Sequence, residues 1–117
     1  MGNFTTTING MAYTIELCHD DSLRIKSPNG EEENYTDGLC DCYKQRIILL
    51  DNMSEERIKR VLCHELAHAY LYEVYRNDTS NYTEEEVCIF VENFIESIYN
   101  TADLFMKYYK GFIKGDE

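Results

Sequence analysis

His64 and His68 stand four residues apart, and Glu65 follows the first of them in the run His64-Glu65-Leu66-Ala67-His68. On a helix this spacing turns the second imidazole only about 40° from the first and one turn further along, so both rings can reach a single zinc ion. Glu65 is roughly 60° from His68, which puts its carboxylate near the open coordination position where a water would bind. Zinc lowers the pKa of such a water to about 7, and a positioned carboxylate that takes the proton adds roughly 10² to 10⁴ in rate. The expected reaction is amide hydrolysis, with His64 and His68 as ligands of Zn2+ and Glu65 as the general base.

Three fixed positions in five can also occur by chance on a surface helix, so the placement of Glu65 matters. With Ile58 at zero azimuth, Val61, Leu62, Ala69 and Tyr72 fall within about 60° of it and Glu65 falls among them at about 340°. An unpaired ionised carboxylate on a core face costs several kcal/mol, a sizeable part of a domain's stability. A use at a metal centre accounts for it.

The elements that must hold these residues change character along the chain. Residues 4–8 and 13–17 alternate as strands around the turn Asn9-Gly10, and a polar stretch carrying Pro28-Asn29-Gly30 follows. Glu31-Glu32-Glu33-Asn34 reads as a solvated loop. Ile47-Ile48-Leu49-Leu50 reads as a last strand, completing a small antiparallel sheet. From Ser54, an N-cap followed by Glu55 and Glu56, the period becomes helical and is expected to hold to about Arg76. Residues 77–81 form a turn cluster, and Thr83-Glu84-Glu85-Glu86 is a capping box with Tyr82 and Val87 as its staple. Val87, Val91, Phe94, Ile98, Phe105 and Phe112 then recur at four- and seven-residue intervals, the apolar stripe of a long second helix that Asn100-Thr101 could break. The expected architecture is α+β in one domain over 1–117: mainly β in 1–50, the motif helix in 54–76 and a helical segment in 83–112.

Two histidines leave a third protein ligand to find. His19, the only other histidine, reads as a half-exposed residue at a strand end. A third His after a Gly is absent, since Leu71 and Val74 occupy those positions, which excludes the metzincin pattern. Carboxylates of the next helix remain: Glu84, Glu85, Glu86 and Glu92, with Glu86 already explained by capping. Azimuth puts Glu84 nearest the apolar stripe and Glu85 at its margin.

The stretches Ile47-Ile48-Leu49-Leu50, Ser54-Glu55-Glu56-Arg57 and Leu62-Cys63-His64-Glu65-Leu66-Ala67-His68-Ala69 resemble the ImmA/IrrE-like metallopeptidases of prophages and mobile elements. That resemblance implies a gluzincin-like site, completed by a glutamate at the start of the helix after the motif. Thr83-Glu84-Glu85-Glu86-Val87-Cys88-Ile89-Phe90-Val91 is similar to the segment carrying it, and laid on the phage pattern of Glu, two residues, Cys, an acidic residue and Phe it implies Glu85 as the ligand. Ile89 stands where the acidic residue would be. The resemblance further implies cleavage of a repressor or other regulatory protein.

Composition narrows the partners. With 22 acidic against 11 basic side chains and a net charge of −11, a phosphate-binding surface is not expected, and a neutral or basic protein partner is. No run approaches the roughly 18 apolar residues of a membrane helix, and the first residues lack a secretory pattern, so a cytoplasmic protein is expected. Cys18, Cys40, Cys42, Cys63 and Cys88, odd in number and irregularly spaced, suit reduced thiols, and Cys40-Asp41-Cys42 is too tight for a zinc knuckle. The match of Met1-Gly2 to a myristoylation start and the sequons at Asn3, Asn34 and Asn81 read as chance. The alternative to a peptidase is a non-proteolytic zinc-binding interaction protein, antirepressor-like or immunity-type. A structural zinc would want four closed ligands and no base, so the intact Glu65 favours an enzyme. A toxin or effector peptidase would use the same chemistry on another target.

Overall fold

The computed structural model describes residues 4–19, 37–75 and 82–115, with side chains through Lys110. The turn at Pro28-Asn29-Gly30, the polar loop 31–34, the turn cluster 77–81, the side chain of Phe112 and the modification motifs at Gly2, Asn3, Asn34 and Asn81 lie outside the described residues.

The expected α+β order is present. Strand β1 (Phe4–Ile8) pairs antiparallel with β2 (Met11–Cys18) through Asn9 and Gly10, whose φ values of 49° and 84° are those of a type I′ turn. Asn and Gly are the residues that adopt this backbone at least cost, so the sequence sets the register of the hairpin, Ile8 opposite Met11. Strands β3 (Gly38–Asp41) and β4 (Arg46–Leu50) form a second hairpin, Gly38 opposite Leu49. Its turn is held by the Asp41 carboxylate, which accepts from the main-chain N–H groups of Tyr43 and Lys44 at 3.1 and 3.0 Å.

The strand order is β1-β2-β4-β3. Because β4 enters between β2 and β3 and runs opposite to β3, it lies parallel to β2, and the sheet is mixed rather than wholly antiparallel. Alternation fixes which face a side chain takes but not the direction of its neighbour, which is why this feature was not readable from the period. The Arg46 guanidinium bonds the Glu16 carboxylate at 2.8 Å across the parallel pair.

Helix α1 (Glu55–Tyr70) starts at Ser54, whose hydroxyl accepts from Arg57 N–H, and lays Ile58, Leu62, Leu66 and Ala69 on the sheet against Tyr13, Ile15, Ile47 and Leu49. Each fully buried Ile or Leu side chain among them contributes about 1.5–3 kcal/mol. Helix α2 (Glu84–Gly115) covers α1 and reaches β1, where Phe4 meets Phe105 edge to face at 5.5 Å. It passes through Asn100-Thr101 without a break. Its buried stripe is Ile98, Ala102, Phe105 and Met106, with Phe90 and Phe94 half-buried, whereas Val87 and Val91 are 50% and 44% exposed. Steps of four drift by about 40° each, so the lines 87-91-95 and 90-94-98 lie on adjacent faces. The first half of α2 turns the aromatic line inward, where Phe94 meets Tyr70 at 5.4 Å. Among the described residues, no helix is long and apolar enough to cross a membrane.

Candidate metal centre

The motif sits in the second half of α1, and its residues divide between two faces. His64 and His68 are exposed, and their Nε2 atoms converge to 3.2 Å. Zinc with Zn–N bonds of about 2.0–2.1 Å places two nitrogens at tetrahedral angles about 3.3–3.4 Å apart. The two imidazoles are therefore set at the separation one ion requires, and imidazole nitrogen is a donor that suits zinc.

Glu65 lies on the adjoining face, toward the sheet, and is 7% exposed. The close approach of β3 makes this burial possible: a Cβ on Gly38 would lie 2.8 Å from Val61 Cγ1 and 3.3 Å from Glu65 Cγ. Two residues on, the Cys40 main-chain N–H donates to the Glu65 carboxylate. Burial pushes the proton affinity of Glu65 above the ordinary carboxylate range, and His68, His64 and the Cys40 N–H oppose it in that order.

Beyond His68 the helix widens. Leu71–Tyr75 form a π-helical turn, and Leu71 N–H reaches both Ala67 and His68 carbonyls. The turn brings Glu73 inside at 4% exposure, where the Tyr13 hydroxyl donates to its carboxylate at 2.5 Å and Asn9 Nδ2 donates to its carbonyl at 3.0 Å. Tyr13, fully buried, is held in its neutral form well past the ordinary tyrosine range, first by burial and then by this bond. The β1–β2 hairpin thus fastens the far end of the motif helix.

The remaining candidates separate from the pair. His19 Nδ1 pairs with Asp51 at the far end of β2 and β4. Glu86 closes the capping box, its main-chain N–H reaching Thr83 Oγ1 at 3.1 Å and its carboxylate accepting from Thr83 N–H at 3.3 Å. Glu84, Glu85 and Glu92 are exposed on α2. Among the described residues, no group of three His, Cys, Asp or Glu side chains forms a metal-holding cluster, so the structure brings together His64 and His68 and does not bring Glu84 or Glu85 to them. Cys40 and Cys42 lie 3.6 Å apart, but burial, then the neighbouring Cys42, push the Cys40 thiol far above its usual range, which makes it a poor thiolate ligand.

A cleft of about 650 Å3 runs beside the motif, lined by Asp37, Gly38, Arg57, Arg60, Val61, His64 and Glu65. Sequence reading passed over Gly38, the Cys40 N–H, the Tyr13–Glu73 bond and the two arginines. Only the arginines carried a local signal, standing seven and four residues before His64 on the same helical face.

A comparison with known families matches residues 34–84, from before β3 through the first residue of α2, to the SprT-like family. No curated protein and no solved structure matches the chain. The matched segment spans β3, β4 and the whole motif helix, ending one residue before Glu85, and over that segment the chain is similar to a zinc-metallopeptidase-like family.

Proposed function

We propose that this chain is a zinc-dependent metalloendopeptidase in which His64 and His68 hold the ion, Glu85, which stands apart from them in this structure, joins them as the third ligand, and Glu65 is the general base. The observation that carries the reading is the pairing of two exposed imidazole nitrogens 3.2 Å apart with a buried glutamate on the adjoining face of the same helix. Zinc bound there would supply a Lewis acid for the scissile carbonyl and a water acidified to a pKa of about 7.

The chain's own groups do the rest. Gly38 lets β3 close on α1, the Cys40 N–H orients the Glu65 carboxylate, and Glu65 takes the proton of the attacking water and passes it to the departing amine. Glu85 is assigned from the resemblance of residues 83–91 to the phage peptidases, and it lies on the first turn of the helix that follows the motif. Two converging ligands with a base beside them, rather than four closed ligands, favour catalysis over a purely structural metal. The substrate is a protein, and the ImmA/IrrE-like features make a repressor or regulatory protein of a phage or mobile element our assignment.

The test is the Glu65→Gln variant, assayed for bound zinc and for cleavage of unfolded protein. It is expected to keep its zinc and lose hydrolysis. Full proteolysis by that variant would refute the mechanism, and a wild-type protein that binds zinc and cleaves nothing would point to an interaction protein.

A further inference from the structure

The chain carries 11 basic against 22 acidic side chains, for a net charge of −11. Among the described residues Arg46, Lys59, Lys107 and Lys110 are each engaged by an acidic side chain, and Lys44, on the β3–β4 turn, makes no ion pair; neither do Arg57 and Arg60. Both are exposed, and both line the cleft that also contains His64 and Glu65. They also flank the adjoining hollow of about 470 Å3, together with Ser54 and Glu56. The two hollows share only these two arginines, which stand at the junction as a basic step leading to the metal motif.

We infer that Arg57 and Arg60 form a substrate subsite for an acidic side chain of the peptide being cleaved. The inference rests on the peptidase reading of His64, Glu65 and His68 and adds the class of residue selected. Guanidinium groups are planar donors matched to carboxylates, and they pair with them through charge-assisted bonds. The carboxylates facing the same space are Asp37 and Glu65 in the cleft and Glu56 in the adjoining hollow. Glu65 is turned inward and bonded by the Cys40 N–H, so the groups that compete for the arginines are Asp37 and Glu56. The chain's overall negative field slows the approach of an acidic partner, but it is screened over about 8 Å at physiological ionic strength, so the local pair decides selection once a peptide is seated.

The helix sets the distance. Arg60 is four and Arg57 seven residues before His64, about 6 and 10 Å along the axis at 1.5 Å per residue. An extended peptide advances about 3.3 Å per residue, so the selected Asp or Glu lies about two or three residues from the scissile bond.

The experiment uses the full chain reloaded with zinc and a degenerate decapeptide library with acetylated and amidated ends. Cleavage sites are read by mass spectrometry for wild type and for the Arg57→Gln, Arg60→Gln double variant. Wild type is expected to show Asp and Glu enriched several-fold two or three residues from the cut, and the double variant to lose that enrichment while melting near the wild-type temperature. No acidic enrichment, or enrichment that persists in the double variant, overturns the subsite. If zinc-loaded wild type cuts nothing, the peptidase reading fails. The subsite is then decided by passing the same library over immobilised, zinc-loaded Glu65→Gln protein: arginine-dependent retention of acidic peptides sustains it, and unselective or absent retention overturns it. A parallel library with free C-termini identifies the source of the carboxylate, and enrichment confined to that library assigns the arginines to a chain terminus and overturns side-chain selection.

Discussion

Glu65 and Glu73 lie eight residues apart on one continuous helical run, both turned into the protein at 7% and 4% exposure, yet they are held in opposite ways. Glu73 receives a neutral hydroxyl from Tyr13 and is locked to the β1–β2 hairpin on both its side chain and its carbonyl. Glu65 has a main-chain N–H from Cys40 and two imidazoles for neighbours, and burial still raises its proton affinity. One carboxylate is satisfied by the fold and fastens it. The other is offset only in part, and the imidazoles of His64 and His68 lie beside it. Burial alone therefore does not separate the two carboxylates; the nature of their partners does.

Exchanging the two glutamates for glutamine separates these roles most sharply. Glu65→Gln is expected to lower the rate of peptide cleavage by at least about 100-fold with zinc retained. Glu73→Gln is expected to act chiefly on the melting temperature, and a comparable loss of turnover in a folded, zinc-loaded Glu73→Gln protein would collapse the distinction.

The anchor itself is tested next by Tyr13→Phe, which leaves the Glu73 carboxylate buried without its hydroxyl. A loss of about 1–3 kcal/mol in denaturant unfolding is expected. In metal-stripped protein Glu65→Gln is expected to shift stability the other way, because it removes a charge whose burial is only partly offset. Equal signs for the two variants would contradict the contrast.

Gly38→Ala probes the closeness of β3 to Glu65. Its added methyl meets Val61 Cγ1 at 2.8 Å and Leu49 Cδ2 at 3.0 Å, so about 1–3 kcal/mol of destabilisation is expected. Activity is expected to fall as well, because β3 must retreat from the carboxylate that it orients. An unchanged melting curve would show that the approach has slack.

The smallest effect lies far from either glutamate. Asp103 bridges Lys107 and Lys59, and these partners hold its carboxyl below its ordinary value of 3.8. A carboxylate depressed on folding adds stability above its unfolded pKa and loses it as pH falls through the folded one. Asp103→Asn is accordingly expected to lower the melting temperature slightly at neutral pH, with the difference fading below about pH 3.8 and in high salt. A difference that grows on acidification would reverse the sign.

Much of this arrangement could be read from short-range signals. Asn9-Gly10, the Ser54 cap, the Thr83–Glu86 capping box and the spacing of His64, Glu65 and His68 each act within a few residues, and each appears where the sequence placed it. The inward turn of Glu65 followed from helical azimuth alone. Strand β3 was not legible, because Gly38-Leu39-Cys40-Asp41 is four residues long and owes its place to pairing with β4 and to contact with α1. Nor was the Tyr13–Glu73 bond, which joins residues 60 apart and depends on a π-helical turn with no sequence period of its own. The exposure of Val87 and Val91 was set by which of two adjacent apolar lines α2 turns toward Tyr70, a choice made in packing.

The most direct measurement is zinc per chain, determined on protein that has been chelated, reloaded and desalted, for wild type, His64→Ala, Glu84→Ala and Glu85→Ala. One tightly held zinc in the wild type, lost in His64→Ala and in Glu85→Ala but kept in Glu84→Ala, is the predicted result. A wild-type protein that retains no zinc would contradict the central claim.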